Sequence, residues 1–88
     1  MFTVRWENNA LAAMAALWTM ATDPAAVTAA ADDIERRLAA APLVHGMPVS
    51  EGLYAIEVPP LRALFEIDDI AMRVRVVSLN HLPEFPTP

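Results

Sequence analysis

Two histidines, six arginines, a single tyrosine and the Asp68-Asp69 pair are the side chains with which this sequence could do chemistry. His45 lies among loop-forming residues with no second ligand at a useful spacing, so it is not expected to bind a metal. The sequence holds no glycine-rich phosphate loop, no Gly-x-Ser-x-Gly elbow and no His-x-x-x-His pair. Cysteine is absent, which removes both disulfides and thiolate zinc sites. Neither a cofactor nor a metal is expected. Arg73 and Arg75 occupy alternate positions of a strand-like run, facing Glu66 across a turn. They read as partners of that carboxylate in an exposed ion pair, which contributes little to stability, or as groups that bind a partner. Tyr54 is on a strand and faces either the core or a partner.

Charge narrows the classes further. The net charge is −5, and lysine is missing. Arg5, Arg36 and Arg37 stand against five acids up to Val44, and Arg62, Arg73 and Arg75 against six afterwards, so no segment forms a basic patch. Proteins that hold nucleic acid through phosphates carry a basic face, because released counterions supply most of the non-specific affinity. Direct tight nucleic-acid binding is therefore not expected. The N-terminus has the wrong order of charges for a secretory signal, and the apolar run from Ala10 to Ala21 falls short of the ~20 residues that span a bilayer. Cytoplasm is the expected compartment, with no membrane partner.

These side chains must be positioned by a small number of elements. Phe2, Val4 and Trp6 alternate with Thr3 and Arg5, the pattern of a short strand. Asn8 or Asn9 is a candidate cap for a helix running to about Ala21, with Leu11, Met14 and Trp18 on its apolar face. Trp6, Met14, Trp18 and Phe65 are expected in the core. Asp23-Pro24 starts a second helix, because aspartate accepts the orphan N–H groups and proline at the first position loses no bond. Val27, Ala30, Ile34, Leu38 and Ala41 share one face of it, and Asp32 with Arg36 and Asp33 with Arg37 form acid-before-base pairs on the other. The segment from Pro42 to Gly52 has no consistent period and reads as a loop.

Strands follow at Leu53–Val58, Leu61–Asp68 and Met72–Leu79, broken by Pro59-Pro60 and by the turn at Asp68-Asp69-Ile70-Ala71. A two-residue turn at Asp69-Ile70 would set Phe65 opposite Val74 and Glu66 opposite Arg73, though that dipeptide is not a preferred turn and a longer loop is open. The fold class is α+β in the order β-α-α-β-β-β, an antiparallel sheet with a helical hairpin packed on one face. One domain over residues 1–82 and an extended, proline-rich tail over residues 83–88 complete the organisation.

Several local features then agree with a known family. Trp6 is an aromatic closing the first strand, and Leu11-x-x-Met14-x-x-x-Trp18 and Ile34-Glu35-Arg36-Arg37-Leu38 lie on the two helices. Ala41-Pro42-Leu43 is followed by Gly46, and the run from Pro60 to Ile67 leads into Arg73-Val74-Arg75-Val76-Val77. In this order the chain resembles the RelE/ParE superfamily, the toxins of bacterial type II toxin–antitoxin (plasmid-stabilisation) modules. RelE-like members are ribosome-dependent endoribonucleases, ParE-like members poison DNA gyrase, and a cognate antitoxin holds both inactive.

The resemblance implies roles for particular residues. Arg62 falls where the ribonuclease branch places an arginine that neutralises charge at the scissile phosphate, and His81 falls near a histidine that serves some members as acid or base. Against that, Leu79 and Leu82 stand where a basic residue and a tyrosine are expected, and the lysines of the classical ribonuclease are missing. The bland readings are an outward strand residue for Arg62 and a solvated chain-end residue for His81. The expected function is a toxin-like component acting on a protein target such as gyrase or on translation, with a cognate antitoxin peptide or protein as partner and gyrase or the ribosome as possible target. The alternatives are a non-toxic binding module that keeps the fold without the chemistry, and a ribosome-dependent messenger RNA endoribonuclease. The incomplete catalytic set leans away from an enzyme.

Overall fold

The computed structural model describes residues 1–82; the proline-rich segment at 83–88 lies outside the described residues. β1 (Thr3–Trp6) is followed by α1 (Asn8–Met20), α2 (Pro24–Ala40) and a one-turn helix α3 (Pro42–His45). β2 (Met47–Ser50), β3 (Leu53–Val58), β4 (Leu61–Asp68) and β5 (Arg73–His81) then build a single sheet with β1, in the order β1-β5-β4-β3-β2.

The meander is as its alternation predicts, with β3 and β4 bounded where the proline pair and the acidic turn place them. Two expectations are corrected. The sheet is mixed, because β1 runs parallel to β5, in register from Thr3 against Arg73 to Trp6 against Val76. Hairpin turns reverse the chain between neighbours, whereas β1 reaches β5 only after the helices, so no turn dictates its direction. Backbone bonds from Thr3 N to Met72 O (2.9 Å) and from Glu7 N to Val76 O (2.9 Å) continue that pairing at both ends. The second correction is the segment from Pro42 to Gly52. It holds α3 and the antiparallel edge strand β2, whose four residues are all exposed and so carry no apolar alternation to read.

The β4–β5 connection is longer than two residues. Asp69, Ile70, Ala71 and Met72 form it, Asp68 Oδ1 accepts from Ala71 N at 3.0 Å, and Met72 adopts a φ of 55°, a region that favours glycine. Phe65 therefore faces Val76 and Glu66 faces Arg75, two residues beyond the tight-turn register but on the same faces. Farther along, a bulge leaves Val77 as the extra residue between Ser78 and Val76. Asn9 Nδ2 donates to the Val77 carbonyl at 3.2 Å, so Asn9 ties α1 to the bulge. Neither Asn8 nor Asn9 caps the helix; Glu7 holds the cap position without a side-chain bond.

Both helices lie on one face of the sheet. Val27, Ala30, Ala31, Ile34 and Leu38 of α2 bury against Ile56, Leu61, Ala63, Phe65, Val74, Val76 and Leu79, with no buried polar side chain among the described residues. α1 presents Ala10, Ala13, Met14 and Leu17, a different stripe from the predicted one. Leu11 and Trp18 are 45% and 51% exposed, so they are not core residues. An alanine-rich helix that is apolar on several sides lets short side chains face the sheet while large ones stay outside.

α2 begins at the predicted cap: Asp23 Oδ1 accepts from Ala26 N at 3.3 Å, and Pro24 is the first helical residue. Asp23→Ala should lower unfolding stability by about 1 kcal/mol, and Asp23→Asn by much less, in urea denaturation; equal losses for both would mean that the cap bond is not what matters. Of the predicted pairs on α2, Arg37 reaches Asp33 at 2.8 Å, and Arg36 also turns to Asp33 rather than to Asp32.

Candidate functional site

Alternation along β1, β4 and β5 sends one set of side chains into the core and the other onto the outer face of the sheet. At one end of that face the parallel register sets Arg5 beside Arg75, and Thr3 beside Arg73. Glu66 and Asp68 face Arg75 and Arg73 from β4. Arg75 is held by Glu66, with Nε 3.0 Å from Oε1 and a second contact from its terminal nitrogen, and its Nε lies 3.4 Å from Glu7 Oε1. The hydrogen bond to Glu66, then the charges of Glu66 and Glu7, outweigh desolvation and push the Arg75 guanidinium above its ordinary pKa, so it stays cationic at every physiological pH. Among the described residues, Arg5 and Arg73 have no carboxylate within ion-pair distance. A shallow depression of about 690 Å³ lies here, lined by three arginines together with Glu7, Glu66 and Asp68. No run of sequence is basic, yet the fold gathers Arg5, Arg73 and Arg75. Arg5 was not singled out by sequence reasoning, because only the parallel β1–β5 pairing reveals it.

Arg62 sits farther along the outer face, opposite Glu57 of β3 and Asn80 of β5. Its Nε is 3.5 Å from Glu57 Oε2, both side chains being about two-fifths exposed, and that nitrogen is shielded without a hydrogen bond. His81 pairs with Leu61, a core-facing residue, and so leaves the opposite face. Its Nδ1 lies 2.8 Å from the Leu82 carbonyl oxygen, beside Leu17, Val27, Pro59 and Pro60 at the end of the helical layer. The fold therefore separates Arg62 from His81 across the thickness of the sheet. Leu79, at the position compared with a basic residue, is a core side chain opposite Ala63. The outward neighbour Asn80 and the half-buried Ser78 carry no charge.

Tyr54 is opposite Phe65 and stacks on it, with ring centroids 5.7 Å apart and planes inclined by 23°, so its ring belongs with the core. His45 ends α3, and no group of three metal-ligating side chains occurs among the described residues. Nor is any described helix long and apolar enough to cross a membrane.

A second feature lies on the helical side. Trp6, Leu11, Met14 and Trp18 line an open groove of about 570 Å³ between α1 and α2, with Asp32 and Glu35 on its rim. Trp6 Nε1 donates to Glu35 Oε1 at 2.9 Å, fixing that carboxylate at the groove. Exposed aromatic and aliphatic side chains gathered in one concavity mark a contact surface more often than an isolated exposed residue does. Trp18, expected in the core on spacing, belongs to this groove.

The sequence matches no family profile and no curated protein relative. The fold does have solved counterparts. A chain from the crystal structure of the toxin–antitoxin complex RelBE2 of Mycobacterium tuberculosis is similar with a TM-score of 0.80 at 23% identity, covering 94% of this chain and 93% of that one. The isolated RelE toxin of E. coli gives 0.66 at 13% identity over 98% of this chain and 89% of that one. A chain from the chromosomal ParDE toxin–antitoxin system of P. aeruginosa gives 0.65 at 16% identity over 94% and 98%. The architecture is thus of the RelE/ParE type along nearly its whole length.

Proposed function

With an architecture shared along nearly its whole length with RelE and ParE chains as the premise, we propose that this chain is the toxin-like component of a toxin–antitoxin pair and that a small antitoxin is its partner. The observation that carries the reading is the match to a chain of the RelBE2 complex, which spans 94% of this chain and 93% of that one. The five-stranded order, the helical hairpin and the arginine-bearing outer face all fit a protein whose working surface is its sheet and whose helices form the support. Induced expression of the chain alone in bacteria should slow growth, and co-expression with a small reading frame adjacent to its own should restore it. Unimpaired growth with soluble protein confirmed in the lysate defeats the proposal.

Within it, a protein target such as gyrase, or a component of the translation machinery, is favoured over messenger RNA cleavage. Arg62 is engaged by Glu57 on one face, His81 points from the other, and the three arginines of the outer end share their depression with Glu7, Glu66 and Asp68. Ribosome-dependent cuts that vanish in Arg62→Ala would reverse that preference. A non-toxic binding module is the second reading. It is favoured by Leu79 in the core and by the uncharged Ser78 and Asn80 beside it, which leave Arg62 without a second cationic residue on β5 at its own end of the sheet.

A further inference from the structure

We propose that residues 83–88 of this chain fold back onto the cleft at the end of the helical layer and seat the Phe85 ring between the α1–α2 corner and the β3–β4 turn. The cleft, of about 980 Å³, is walled by Leu17 and Met20 of α1, Val27 of α2, and Pro59, Pro60 and Leu82. Met20 stands exposed on its rim, and Leu17 and Leu82 are half-buried, so an apolar wall meets solvent until a hydrophobic occupant covers it.

Chain geometry selects the occupant. Leu82 N donates to the Pro60 carbonyl oxygen at 2.8 Å, which pins Leu82 to the β3–β4 turn, and its side chain is itself part of the wall. The residues after it therefore leave from the mouth of the cleft. Phe85 is three positions on, a reach of up to about 10 Å at roughly 3.3–3.6 Å per residue. So short a tether gives the ring an effective concentration that a separate peptide does not match. The composition suits the walls as well. Pro83, Pro86 and Pro88 carry no N–H, so they lay no unpaired donor against an apolar surface, and their fixed φ lowers the entropy lost on docking. Extended backbone sends neighbouring side chains to opposite sides, so with Phe85 inward Glu84 stays in water, away from Asp23 and Glu57 on the cleft. Phe2 and Phe65 already pack in the core, which leaves Phe85 as the phenylalanine that the cleft can take. The inference goes beyond the toxin-like reading and stands on the cleft and the sequence that follows it; growth assays and tail docking succeed or fail separately.

The test uses the full chain. Because it has no cysteine, Ala26→Cys places a single thiol on the cleft as a reporter. A maleimide should react with that thiol about tenfold more slowly than in the same chain carrying Phe85→Ser, since the ring must lift away before the thiol is reached. Phe85→Leu should give an intermediate rate. In the chain without the reporter, NMR should show contacts from the Phe85 ring to the methyls of Leu17, Met20 and Val27, unchanged on dilution. Met20→Ser, at an exposed rim position, should weaken them. The circular dichroism spectrum and urea midpoint check each variant for an intact fold. Equal maleimide rates with and without the ring, no contact between the ring and those methyls, or protection that disappears on dilution, which would assign the cleft to the tail of a second copy, would each overturn the proposal.

Discussion

Replacing Phe65 by alanine should remove about 3–5 kcal/mol of stability, the cost of deleting a fully buried aromatic ring. The ring is 0% exposed, stacks on Tyr54 and stands opposite Val76, so three strands and the turn at Gly46 all close over it. A chain of this size carries only about 0.05–0.15 kcal/mol per residue in total, so one such cavity takes a large share of the folding free energy. In urea denaturation the midpoint should fall steeply while the slope stays unchanged. A loss below about 1 kcal/mol would mean that the surrounding side chains collapse into the space, contrary to close packing around the ring.

Gly46→Ala should also be damaging, for the opposite reason. A Cβ at this position would lie 2.4 Å from Phe65 Cζ and 2.9 Å from the Pro42 carbonyl oxygen, which itself accepts from Gly46 N at 3.0 Å. The backbone φ of −93° is open to any residue, so what forbids a side chain is space rather than strain. Overpacking of this kind costs about 1–3 kcal/mol. A double-mutant cycle separates the two causes. In the Phe65→Ala background the ring contact is gone, and Gly46→Ala should cost less, with the remainder owed to the Pro42 carbonyl. Strict additivity of the two changes would show that the glycine is required for some reason other than the ring.

The parts of this fold legible from sequence are those set by neighbours along the chain. Asp23-Pro24 starts α2 because cap and first turn are local, and Pro59-Pro60 closes the β3–β4 hairpin because proline cannot continue the ladder. The parallel β1–β5 pairing joins residues some seventy positions apart and leaves no local mark, so the sheet read as wholly antiparallel. β2 contains Pro48 and exposes every residue, which erased the alternation that would have betrayed a strand. On α1 the spacing of Leu11, Met14 and Trp18 is helical, yet alanines on an adjoining stripe let the helix roll toward Ala10, Ala13 and Leu17. That roll turned an expected core tryptophan into the wall of a groove. Likewise the face from which a strand residue projects depends on register. The four-residue loop moved partners by two and preserved every face, whereas the placement of Arg62 and His81 on opposite sides follows from alternate positions on paired strands.

The position of β5 inside the sheet bears on how the molecule is made. A ribosome delivers β1 and both helices early, but the strand that links β1 to the rest is the last one in the order of synthesis. Until residues 73–81 have emerged, the nascent chain holds a β3–β4 hairpin with one flank bare, and a first strand with nothing to join. Folding is thereby deferred until that strand has emerged, and a stop codon anywhere before Arg73 yields an unassembled polypeptide rather than a weakened version of the folded domain.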